Sequence, residues 1–130
     1  MRWYLDTSAA AKLLVEEAES DALAGFLDRA ADAGDTLGSS RLLETELRRL
    51  AIRCAIAQEH VTLVLERLDL LVPDDEVFRT AGLLPGPALR SLDALHVAAA
   101  LRWSADAVVT YDERRALAAR GVGLDVAAPA

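Results

Sequence analysis

Short apolar runs alternate along this chain with stretches in which apolar residues recur every three or four positions. Trp3-Tyr4-Leu5 is stopped by Asp6-Thr7-Ser8, and an alanine-rich stretch follows from Ala9 to Val15. That order predicts strand, loop and helix, with Thr7 or Ser8 capping the helix by accepting a hydrogen bond from an orphan backbone N–H. Leu23, Phe26, Leu27 and Ala30 share one face of a helix from Ser20 to Ala31. Gly34-Asp35 breaks the chain, Thr36 to Ser39 suits a short strand, and Ser40 is expected to cap a helix running to about Arg53. A further helix fits Gln58 to about Arg67. Leu68 to Val72 stops at Pro73 as a strand should, and Asp74 or Asp75 then opens a short helix. After the Pro85-Gly86-Pro87 loop come a helix from Ser91 to Trp103, a buried-type strand from Ala107 to Thr110, a helix from Glu113 to Ala119, and an edge strand at Leu124 to Val126. Strands alternating with helices imply parallel pairing through right-handed crossovers. The expected fold is a three-layer α/β/α sandwich around a mainly parallel sheet of about four to five strands.

Composition changes this picture only where it bears on partners. The 130 residues, 53% hydrophobic and 27% charged, suit one globular domain spanning residues 1–130 rather than a disordered chain. No apolar run nears the roughly 20 residues of a membrane span. The N-terminus lacks the charged start, long apolar stretch and small-residue cleavage site of a signal peptide, so a cytoplasmic protein without a membrane partner is expected. Cys54 is the single cysteine, which excludes an intrachain disulfide and a Cys-based zinc site. A net charge of −7 counts against nucleic acid, because phosphate contacts need Lys and Arg. The objection weakens if carboxylates gather around divalent cations, since bound metal reverses the local field. All basic residues but Lys12 are Arg, the better bidentate phosphate ligand.

Two acids stand where ligands bind in such folds, beyond the carboxyl ends of strands. Asp6 directly follows the first strand, and Asp112 lies two residues past Thr110. Either one also suits a turn or a helix cap. Two more acids sit on helix faces that should be apolar. Glu46 shares the stripe of Leu43, Leu47 and Leu50, whereas Glu44 faces Arg48 one turn on, as in an ordinary solvated pair. A lone buried carboxylate is costly, so Glu46 is the functional candidate of the two unless it points to water at the boundary. Asp93 is the one acid of an otherwise apolar helix, although a first-turn Asp also complements the helix dipole. His96, one turn later, suits a buried hydrogen-bonding histidine better than a metal ligand. Carboxylates meeting at one end of the sheet suit Mg²⁺, which prefers oxygen ligands. Their repulsion without metal should destabilise the protein and raise at least one carboxyl pKa.

Taken in order, Leu5-Asp6-Thr7-Ser8-Ala9, Ser40 followed by Leu42-Leu43-Glu44-Thr45-Glu46-Leu47, Arg90-Ser91-Leu92-Asp93-Ala94-Leu95-His96, and Val109-Thr110-Tyr111-Asp112 leading to Gly121 resemble PIN-domain ribonucleases. More specifically, the set is similar to VapC-type toxins of bacterial toxin–antitoxin pairs, over essentially the whole chain. The resemblance implies a PIN-like fold and Mg²⁺- or Mn²⁺-dependent endoribonuclease activity, in which a metal-activated water hydrolyses an RNA phosphodiester. It implies Asp6, Glu46, Asp93 and Asp112 as the catalytic acids. Asp6, Asp93 and Asp112 would be metal ligands, with Glu46 bound directly or through water. Ser8 and Thr110 match hydroxyl positions that hold metal, water or the acids. A homodimer and a VapB-type antitoxin partner are implied as well. Arg48, Arg49, Arg53 and Arg90 lie near these acids in sequence and are candidates for phosphate contacts, against the simpler role of solvated arginines. Two alternatives stand beside this one. A catalytically silent interaction module on the same fold fits the same acids, and a phosphoacceptor receiver-like signalling domain also places acids at strand ends. The receiver needs a Lys after a late strand, and the chain has only Lys12.

Overall fold

The computed structural model describes residues 1–130. The chain runs β1 (Arg2–Leu5), α1 (Thr7–Ala11), α2 (Ser20–Asp32), β2 (Thr36–Ser40), α3 (Leu42–Arg53), α4 (Gln58–Glu66), β3 (Asp69–Leu71), α5 (Asp75–Leu83), α6 (Ser91–Arg102), β4 (Ala107–Val109), α7 (Glu113–Gly121) and β5 (Asp125–Ala127). The strands form one five-stranded sheet in the order β3-β2-β1-β4-β5, and every pairing is parallel. Each strand therefore meets the next through a helical crossover, which is the α/β architecture expected from the alternation.

Alternation along the strands divides the core between two faces. Tyr4 and Val108 pack with Ala94, Ala98 and Ala99 of α6, Val77 and Ala81 of α5, and Ala119 of α7. Leu5, Leu37 and Val109 pack on the other face with Ala9 of α1 and Leu23, Leu27 and Ala30 of α2. A third cluster joins Leu43, Leu47 and Ala51 of α3 to Val61, Val64 and Leu65 of α4 and to Ala10 of α1. The near-absence of polar residues on α6 is explained by its position, since Asp93, Ala94 and the run from His96 to Ala100 are buried.

Helix starts differ from expectation in an informative way. Thr7 and Ser8 lie inside α1, and the cap is Asp6 itself, whose side chain accepts from the Ala9 N–H. Helix α1 also ends at Ala11 rather than Val15, and the Ser20 hydroxyl donates to the carbonyls of Lys12 and Val15 beyond it. Ser40 closes β2 instead of occupying the cap position of α3, yet its Oγ still accepts from the Leu42 N–H at 3.1 Å. Asp74 caps α5 through the Val77 N–H, one of the two acids expected there. Cys54 sits exposed at the end of α3. No helix is long and apolar enough to cross a membrane.

Candidate active site

From β1 the chain moves outward to β2 and β3, then returns to lay β4 and β5 on the opposite side. The crevice beyond the carboxyl ends of β1 and β4 is thus the place where strand order reverses. Asp6 enters it from β1 with no exposure to solvent. Its Oδ1 accepts from the Ser8 hydroxyl at 2.7 Å and the Ala9 N–H at 3.1 Å, while Oδ2 accepts from the Thr110 hydroxyl and from Arg115 at 3.1 Å. A carboxylate withdrawn from water needs this degree of compensation. Ser8 and Thr110 are fixed in turn, because Ser8 Oγ accepts from the Tyr111 N–H at 2.9 Å and Thr110 Oγ1 from the Asp112 N–H at 3.1 Å.

Arg115 ties the other side of the crevice together. Its Nε donates to Asp93 Oδ1 at 2.5 Å, so one guanidinium spans the carboxylates of β1's end and α6's first turn. Burial by itself lowers the Arg115 pKa, but the charges of Asp6 and Asp93 outweigh it and hold the group above its ordinary value. Asp112 has a separate task. Its Oδ1 caps α7 by accepting from the N–H groups of Arg114 at 2.9 Å and Arg115 at 3.3 Å, which orients the helix that carries the arginine. A cleft of about 500 Å³ opens beside it, lined in part by Thr110, Asp112, Glu113 and Arg120.

Glu46 reaches the same end of the sheet from α3. Thr7 donates to its Oε2 at 2.7 Å, and His96 meets its Oε1 at 2.5 Å. The His96 ring is buried, and its Nδ1 lies 2.8 Å from the Tyr4 hydroxyl. Burial pushes the Tyr4 phenol well above its ordinary value, so it keeps its proton and donates. His96 Nδ1 is then the acceptor, and Nε2–H donates to Glu46. Burial would raise the Glu46 carboxyl, but His96 and Thr7, with Arg115 beyond them, outweigh it and hold the group below its ordinary value. Glu44 points elsewhere, paired at 2.9 Å with both Arg41 and Arg48. Hydrogen bonds therefore connect Asp6, Asp93 and Asp112 through Thr110 and Arg115, while Glu46 is held separately by Thr7 and His96.

The PIN domain family matches residues 3–121. Ribonuclease VapC35 of Mycobacterium tuberculosis is 45% identical over 133 residues, covering 97% of this chain and 96% of its own. This chain belongs to the VapC-type PIN-domain family. Ribonuclease VapC46 and Ribonuclease VapC47 of the same species are 40% and 36% identical, each over 97% of this chain and 96% of its own. Among solved structures, VapBC2 from Rickettsia felis bound to a DNA fragment from their promoter matches with a TM-score of 0.77, at 17% identity and covering 98% of each chain.

In this VapC-type domain the residue that sequence reasoning missed is Arg115. Arg115, Ala116 and Ala119 are the buried residues of α7, so an arginine sits on the core stripe of its helix just as Glu46 does on α3. That signal was present and had the same form. Arg115 also removes the expected repulsion, because a guanidinium between Asp6 and Asp93 offsets their charges without metal, and Glu46 is lowered rather than raised. The oxygen donors have the chemistry a hard cation wants, but the guanidinium of Arg115 stands between Asp6 and Asp93. No three Asp, Glu, His or Cys side chains stand together as a metal-holding group. Arg48, one of the arginines near the acids in sequence, is tied to Glu44, Gln58 and Thr62.

The lowered Glu46 carboxyl predicts a pH effect of definite sign. The folded protein binds the Glu46 proton more weakly than the unfolded chain does, so the stabilisation is complete above the ordinary value of 4.5 and is lost as pH falls through the lowered one. Denaturant midpoints measured from about pH 6 downward should fall more steeply for the wild type than for Glu46→Gln. Parallel curves would remove Glu46 as a source of the acid sensitivity.

Proposed function

We propose that this PIN domain, taking the whole chain as one domain, is an endoribonuclease and the toxin of a toxin–antitoxin pair. It acts in the cytoplasm as a homodimer and is neutralised by a VapB-type antitoxin. We further propose that RNA cleavage depends on Mg²⁺ or Mn²⁺, with Asp6, Glu46, Asp93 and Asp112 as the catalytic acids and Ser8 and Thr110 as the hydroxyls that orient Asp6. The observation that supports this most is the convergence of acids from four separated segments on the crevice between β1 and β4, where Arg115 bridges Asp6 and Asp93 and His96 binds Glu46. The names of the relatives at 36–45% identity point the same way. The phosphoacceptor alternative loses its one lysine, since Lys12 is paired with Glu17 at 2.6 Å and Glu19 at 3.0 Å.

The test uses purified protein free of antitoxin, an unstructured RNA, and Mg²⁺, Mn²⁺ or EDTA, with Glu46→Gln and Glu44→Gln run alongside. Wild-type protein should cleave with either metal and stop in EDTA. Glu46→Gln should lose cleavage on the order of 10²-fold or more. Glu44→Gln should stay near wild type and lose no more than about 0.5 kcal/mol of stability, as for a partly exposed ion pair. Absence of cleavage with every metal would favour a silent interaction module, and equal loss in both variants would put Glu44 in the site as well.

A further inference from the structure

The guanidinium of Arg115 stands where it conflicts with the metal dependence proposed above, and the inference rests on that proposal. Asp6 Oδ2 and Asp93 Oδ1 come from elements far apart in sequence, and the single group that bridges them is this cation, at 3.1 and 2.5 Å. The bridge is built in. Asp6 is wholly buried and Asp93 and Arg115 nearly so, while α7, which carries the arginine, is capped by Asp112. No buried side-chain nitrogen or oxygen in the protein lacks a partner, so the acids are satisfied with Arg115 in place and no ion is needed to complete them.

We infer that Arg115 is an internal counter-cation that closes the Asp6–Asp93 pair and must be displaced before a divalent ion can bind there. Two like charges cannot share one pair of carboxylates at contact distance without strong repulsion. The two states are therefore exclusive. In one, the guanidinium neutralises the pair and the protein is stable without metal. In the other, Asp6 and Asp93 would hold the ion and Arg115 would turn out of the crevice. Apparent metal affinity is then the intrinsic affinity reduced by the fraction of molecules whose arginine is released. The device keeps the acids closed at low metal without a partner protein.

Calorimetric titration of Mn²⁺ into antitoxin-free wild type and Arg115→Met tests this with binding rather than cleavage as the readout. The variant keeps much of the side-chain volume and removes the charge. It should bind Mn²⁺ about tenfold tighter or more, and should melt lower than wild type without metal but gain more on its addition. Since Arg115→Met risks misfolding, the wild type gives an independent measurement. The Arg115 Nε–Hε resonance should be protected from solvent exchange without metal and lose that protection as diamagnetic Mg²⁺ is added. Equal affinity in the two proteins, or a resonance that stays protected while Mg²⁺ saturates the site, overturns the displacement and leaves metal dependence standing. Failure of both proteins to bind either metal overturns metal dependence and this inference with it.

Discussion

An Asp6→Asn protein is expected to cleave RNA on the order of 10³-fold more slowly than wild type and to be less stable by about 3 kcal/mol. The substitution is near-isosteric, and a surface aspartate would tolerate it. Here the carboxylate is buried and accepts two hydrogen bonds on each oxygen. Asparagine can keep the Ser8 and Ala9 bonds on its carbonyl. Its amide then faces Thr110 and Arg115 as a donor. The hydroxyl can rotate to accept, but a guanidinium has no lone pair to offer. Arg115 is left with Asp93 alone, and leaving a buried charge without its partner is the costly way to break an ion pair. Denaturant unfolding measures the stability loss, and cleavage should be compared well below both melting temperatures so that unfolding does not mimic loss of chemistry. Near-wild-type cleavage by folded Asp6→Asn would remove Asp6 from the reaction.

The second large effect is structural and lies one strand away. Gly38→Ala should lower stability by about 3 kcal/mol and the melting temperature by about 10 °C. A Cβ on residue 38 would sit 2.4 Å from Trp103 Cζ2, 2.7 Å from Trp103 Cη2 and 2.9 Å from the Asp69 carbonyl. None of these yields easily. Trp103 is buried, with Arg2 stacked 4.0 Å from its ring centroid, and the carbonyl belongs to β3, paired with β2 at this residue. Alanine gains less than about 1 kcal/mol from its stiffer unfolded chain, too little to offset the overlap. Tryptophan emission should shift to the red as the Trp103 ring is forced toward solvent, and an unchanged melting temperature would show that the sheet and helix α6 can part here at little cost.

Much of the molecule is legible in local sequence pattern. The order of strands and helices follows from periodicity, because a strand buried on both faces reads as a short apolar run and a helix repeats its buried residues every three or four positions. Glu46 is separable from Glu44 on the same basis, since an acid on a leucine stripe must meet something other than water, and it meets Thr7 and His96. The role of His96 as a buried hydrogen-bonding residue follows likewise.

Local pattern therefore sets the elements, the faces they bury and the acids out of place upon them. Tertiary structure decided what those acids touch. Strand order β3-β2-β1-β4-β5 puts residues 109 positions apart, Asp6 and Arg115, into one hydrogen bond. Asp6 became both helix cap and buried ion-pair partner, and Asp112 the cap of the helix that delivers Arg115. The physical reason is range: periodicity is a local property that records that a face is covered, whereas the charge that answers a buried carboxylate is chosen by which distant segment the sheet lays beside it.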